Sequence, residues 1–176
     1  MNLYMYGDEI DYSIVEKSSI TKEMIEDFSC GNTTIDNVLK NDTEYSSLFA
    51  VDNKENKIIS FIVYLASGIP MQYGSTHITR SAVLIDIFAV DIKYQHLPFE
   101  LNQEYKYNLS DEIFCKFLMQ LRKISEEYLY FEFVTLYSVP NAKGFYKRNC
   151  FEEFNTYMIP DKYSYLDGCI PMFMSL

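Results

Sequence analysis

Asp86 is the carboxylate whose surroundings point most directly to chemistry. It stands among Leu84, Ile85, Ile87 and Phe88, where a charge is costly unless it is partnered. A buried carboxylate with a raised pKa can act as a general base; a structural partner of a neighbouring strand fits the same pattern. Glu132, on the following strand, is the weaker alternative. His77 and His96 fall in expected loops and read as surface histidines. Cys30, Cys115, Cys150 and Cys169 form no CxxC pair, so neither a metal site nor a disulfide framework is expected.

A second group lies in Leu136-Tyr137-Ser138-Val139-Pro140-Asn141-Ala142-Lys143-Gly144-Phe145-Tyr146-Lys147-Arg148-Asn149-Cys150-Phe151. It reads as the end of a buried strand, a short helix opened by Asn141 and a return to strand at Phe151. An asparagine oxygen accepts well from a free amide at a helix start. Lys147 and Arg148 suit the negative end of the helix dipole, and Asn149 can supply the left-handed residue that ends the helix. Taken alone, Phe145, Tyr146 and Phe151 also fit a plain aromatic core.

The chain has 176 residues, 48% of them hydrophobic, which suits one domain, 1–176, with a substantial core. Its net charge is -10. That charge repels phosphate backbones, so nucleic acid is an unlikely partner, and it favours a cationic one such as a small amine or a basic peptide. No signal peptide and no membrane span is read, so a soluble, cytoplasmic protein is expected.

The elements that must position these groups follow from periodicity. Strands are expected at 12–16, 48–51, 57–66, 81–91, 131–136, 155–159 and 169–174. Helices are expected at 21–27, 33–45, 110–128 and from Asn141 onward. Residues 81–91 are apolar on both faces, as in a central strand covered twice. Residues 68–79, with Gly68, Pro70 and Gly74, read as irregular. Helix 110–128 carries Ile113, Phe114, Phe117, Leu118, Leu121 and Ile124 at helical spacing, with Ser110 as its cap. The order is β-α-α-β-β-β-α-β-α-β-β, an α/β domain with a mixed central sheet and helices on both faces.

Three segments in this order resemble the GNAT superfamily of N-acetyltransferases: the Asn141–Tyr146 helix, Ile85-Asp86-Ile87-Phe88-Ala89-Val90-Asp91, and Phe28-Ser29-Cys30-Gly31-Asn32 followed by Ile35-Asp36 and Leu39. The last resembles a branch that includes toxin acetyltransferases. The resemblance implies acetyl-CoA as acyl donor, paired with main-chain groups of Phe88, Ala89 and Val90. It gives Tyr146 the acid role toward the leaving thiolate, and Asn141 a part in holding the cofactor or the helix start. It implies transfer to an amine of a small molecule or peptide; a toxin acetylating aminoacyl-tRNA is the lesser alternative, and a homodimer is left open. The family's Arg/Gln-x-x-Gly-x-Gly/Ala phosphate loop is missing, since residues 92–109 hold no glycine. Asp111 and Glu112 then place carboxylates where a diphosphate would sit, with Lys93 or Lys106 as compensation. A catalytically silent binding module with a degenerate CoA site is therefore the competing reading.

Overall fold

The expected order of elements is the one observed in the computed structural model, which describes residues 10–41, 45–98, 108–162 and 168–176. Strand β1 (Tyr12–Glu16) leads to helices α1 (Lys22–Asp27) and α2 (Thr33–Asn41). Strands β2 (Ser46–Asp52), β3 (Lys57–Tyr73) and β4 (Thr76–Val90) follow. Helix α3 (Leu109–Glu127), strand β5 (Phe133–Ser138), helix α4 (Lys143–Arg148) and strands β6 (Glu152–Glu153) and β7 (Ile170–Ser175) complete the described elements. They build a seven-stranded sheet in the order β1-β2-β3-β4-β5-β7-β6. β4 and β5 are parallel across α3, and the other neighbours are antiparallel.

The apolar stripe of α3 explains the first layer. Ile113, Phe114, Phe117 and Leu121 are fully buried against Val83, Ile85, Val134 and Leu136 of the sheet. Each such side chain contributes about 1.5–3 kcal/mol of burial. On the other face, Met24, Phe28 and Leu39 from the α1–α2 region pack on Phe49, Phe61 and Ala89. The mixed sheet thus has a separate core on each face, and a third, smaller cluster joins Ile69, Met71 and Ala82 to Met158.

Residues 68–79 are not irregular. They extend the β3–β4 hairpin to a two-residue turn at Gly74, which takes φ 61°. Gly68 allows the two strands to meet closely, since a Cβ there would lie 2.7 Å from Thr79 Cγ2. The arm is tied down from outside the hairpin. Gln72 N–H donates to Tyr157 C=O at 2.8 Å, Ile159 N–H donates to Pro70 C=O at 2.8 Å, and the Tyr73 and Tyr157 rings stack at 5.0 Å. The strand expected at 155–159 is therefore this strap, and β6 lies earlier, at Glu152–Glu153. His77 belongs to β4 rather than to a loop.

Candidate functional site

The site begins with a fault in β4. Val63 pairs with Ile87 and Tyr64 with Ile85, so Asp86 is the extra residue of a β-bulge. One added residue reverses the alternation of everything after it. Val83 and Ile85 face the α3 core before the bulge, and Phe88 and Val90 face it afterwards. The Asp86 side chain is exposed, so the expected burial among Leu84, Ile85, Ile87 and Phe88 does not occur. The bulge spends this residue on the bend and turns it to solvent. Glu132 is ion-paired with Arg80 at 2.9 Å and lies just before the β4–β5 ladder begins, far along the strand from Asp86.

The bulge sits where the sheet opens. β5 pairs with β4 only from Ala82↔Phe133 to Ile85↔Leu136, and β4 then continues to Val90 without β5 beside it. Asp91 N–H donates to Ile59 C=O at 2.8 Å, which sets the antiparallel alternation along β3. Ala89 therefore turns its main chain toward β3, where its carbonyl also accepts from the buried Ser60 hydroxyl at 2.7 Å. Phe88 and Val90 turn theirs toward the gap. Of these groups, Val90 C=O is taken by Gln95 Nε2 at 2.9 Å.

Helix α4 follows β5 and borders the gap. Asn141 does not cap it. Pro140 starts a 3-10 turn over Pro140–Ala142, and Ala142 occupies the cap position with no side-chain hydrogen bond. Asn141 is exposed on that turn. The left-handed residue at the other end is Cys150, at φ 66°, rather than Asn149. Asn149 instead donates to Asp111 Oδ1 at 2.9 Å and to Phe145 C=O at 3.0 Å.

Tyr146 leans on Phe114 (5.6 Å) and Phe151 (6.0 Å), and its neighbour Phe145 stacks on Phe88 of β4 at 5.4 Å. Burial pushes the Tyr146 phenol up to about 12. Its hydroxyl has no hydrogen-bond partner among the described residues.

The start of α3 is closed by its own residues. The cap is Asn108 rather than Ser110. Asp111 reaches back to accept from Asn108 N–H at 3.2 Å, as in a capping box. Leu109 N–H donates to Leu97 C=O at 2.8 Å, and Asp111 and Glu112 N–H donate to Asn108 C=O at 3.0 and 3.2 Å. Asp111 is almost wholly buried, while Glu112 pairs with Lys116 at 3.4 Å. Neither carboxylate is left as a bare charge facing a ligand. Lys106, with the rest of 99–107, lies outside the described residues; Lys93 pairs with Glu55.

A polar bracket, unread from sequence, holds the end of β4. Asp91 Oδ2 accepts from Ser29 N–H at 3.0 Å, and Gln95 Nε2 reaches Cys30 C=O at 3.1 Å as well as Val90. Asp36 accepts from Ser29 Oγ and Cys30 N–H, each at 2.9 Å. Burial alone would raise the Asp36 carboxyl, but these hydrogen bonds outweigh it and hold it below the ordinary range. The Phe28–Asn32 segment thus steadies the strand end. Gln95 was the available signal, because it is a polar residue placed just past the central strand.

On the sheet face opposite α3, a cavity of about 310 Å³ opens between the hairpin arm and residues 159–161, lined by Leu84, Thr135, Tyr137, Phe154 and Ile159 among others. Asp161 N–H donates to the Tyr137 hydroxyl there at 3.1 Å.

No protein-family model and no curated protein matches the sequence. Solved structures do match it in shape. A bacterial toxin shares 20% identity at TM-score 0.71, over 94% of this chain and 90% of its own. AtaT complexed with acetyl-methionyl-tRNAfMet shares 12% identity at TM-score 0.66, over 94% and 95%. A mutant AtaT toxin bound to the C-terminus of the antitoxin AtaR and acetyl-CoA shares 12% at TM-score 0.62, over 94% and 93%.

These neighbours correct one expectation. A similar structure holding a tRNA overturns nucleic acid as an unlikely partner, and with it the small amine or peptide as the expected acceptor. Net charge summed over a chain does not decide what a local surface binds. Lys143, Lys147 and Arg148 are gathered on α4 beside Tyr146 despite the total of -10. The chain has the GNAT fold, in the form these toxin structures share.

Proposed function

We propose that the chain is an acetyl-CoA-dependent N-acetyltransferase whose acceptor is the amine of an aminoacyl-tRNA. The observation that carries this reading is the opening of β4 from β5 beside the Tyr146 helix. Phe88 N–H and C=O and Val90 N–H face that opening, and the extended pantetheine arm of the donor can pair with them as an added strand. The cavity on the opposite face lets the acceptor approach the same parting of the strands from the other side.

In the reaction, the neutral amine attacks the thioester carbonyl, and the carbon–sulfur bond breaks to release a thiolate. The attacking nitrogen loses one proton. Asp86, exposed at the bulge, is the base proposed to accept it through water. Tyr146 is proposed to meet the thiolate. A phenol raised to about 12 stays protonated at neutral pH and is a weaker acid than a thiol near 8.5. It therefore stabilises the leaving sulfur by a hydrogen bond rather than by full proton transfer. Asn141, exposed on the preceding turn, remains a proposed donor contact.

The similarity to AtaT solved with acetyl-methionyl-tRNA supports the acceptor. The test is release of CoA thiol from acetyl-CoA in the presence of a charged tRNA pool. Release with aminoacyl-tRNA and none with deacylated tRNA is expected. No release with any charged tRNA would overturn the proposal.

A further inference from the structure

We propose that the guanidinium of Arg148, rather than an amide cradle at the start of α3, takes the diphosphate of the donor. This rests on the acetyl-CoA reading above and deepens it. Anion sites at helix starts need backbone N–H groups left open. Of the first four, those of Leu109, Asp111 and Glu112 are satisfied by Leu97 and Asn108, that of Ser110 alone stays open among the described residues, and Asp111 adds a carboxylate to the same turn.

Arg148 lies over this place. Its guanidinium is 5.8 Å from the Phe145 ring, which stacks on Phe88 at the gap, and 3.5 Å from Asp111 Oδ1 at the start of α3. It thus stands between the end of the gap and the first turn of α3, on the path that a diphosphate leaving the gap would take.

Two further facts single it out. Asp111 is held by Asn149 at 2.9 Å and Asn108 at 3.2 Å, so the 3.5 Å contact to Arg148 is the longest of the three and the easiest to exchange. Lys143 and Lys147 both close on Glu153 Oε1, at 2.7 and 2.9 Å, so Arg148 is the cation of α4 not drawn to that carboxylate. Its side chain is 53% exposed, and its other contact is a 3.3 Å bond to the Gly144 carbonyl. A planar fork of donors matches phosphate oxygens where a point charge would not.

The test measures binding rather than turnover. Calorimetric titration would compare acetyl-CoA with S-acetylpantetheine, which lacks the diphosphate, on the wild-type chain, Arg148→Gln and Arg148→Lys. Arg148→Gln should weaken acetyl-CoA about tenfold or more, leave S-acetylpantetheine unchanged, and flatten the salt dependence of acetyl-CoA binding. Arg148→Lys should fall between. Unchanged acetyl-CoA binding in Arg148→Gln would overturn the proposal alone. So would an equal loss of both ligands, which marks a structural role in the gap, or equal wild-type affinity for the two. A wild-type chain that binds neither ligand would overturn this proposal and the acetyltransferase reading together.

Discussion

The gap beside β4 and the first turn of α3 face the same expected ligand but treat their backbone in opposite ways. At the gap, the bulge at Asp86 and the early end of the β4–β5 ladder leave main-chain groups of Phe88 and Val90 without a strand partner. At the helix, neighbouring carbonyls satisfy three of the first four amides, and Asp111 sets a carboxylate beside them. The difference shows which half of such a site is robust. Main-chain recognition along a strand survives almost any choice of side chains, because the bulge and the register create it. An anion cradle is lost as soon as local residues satisfy its amides, and a side-chain cation must then supply the attraction.

The largest expected effect breaks the gap side. Tyr146→Phe should lower kcat about 100-fold or more in the acetyl-transfer assay. Stability should change little, because the lost hydroxyl has no partner among the described residues. Undiminished turnover would remove Tyr146 from the chemistry.

Next comes the helix side. Asp111→Ala leaves Asn149 and Arg148 without their shared acceptor and removes the reach back to Asn108. A loss of about 2–3 kcal/mol in urea unfolding is expected, while S-acetylpantetheine affinity should hold. A loss of that affinity would show that the two regions are not separable.

A smaller effect tests the bracket behind both. The Asp36 carboxyl lies below its ordinary value in the folded chain, so the folded state holds its ionised form. Its stabilisation is present above the unfolded value near 3.9 and fades as pH falls through the lower folded value. Urea unfolding between pH 2 and 5, read as expected slopes, should be less steep for Asp36→Asn than for the wild type. Parallel curves would contradict the assignment. The smallest change is Cys150→Gly. Relief of φ 66° should outweigh the added unfolded-state freedom and stabilise by about 0.5 kcal/mol; a loss in thermal unfolding would refute it.

Much of the fold was legible because it is written in repeated patterns. The stripe of Ile113, Phe114, Phe117 and Leu121 and the apolar run of 81–91 leave few alternatives for α3 and β4. The site was less legible for reasons of direction. Residues 81–91 are apolar on both faces, so the reversal at Asp86 leaves no break in the pattern, and its exposure could not be read. Asp111 read as an obstacle because residue type gives a charge but not the way it points. Asn141 has the better propensity, yet Pro140 starts the turn earlier and leaves the cap to Ala142. The left-handed residue fell to Cys150, which no propensity favours. The partner was misread because a charge summed over the whole chain does not say what a local surface binds.

The most direct test of the account is amide hydrogen exchange, followed by NMR, with and without acetyl-CoA. The N–H groups of Phe88 and Val90 should gain protection when the donor binds, while Ala89, already turned to β3, should change little. Binding that protects neither Phe88 nor Val90, or that protects Ala89 equally, would contradict strand-like pairing at the open edge of β4.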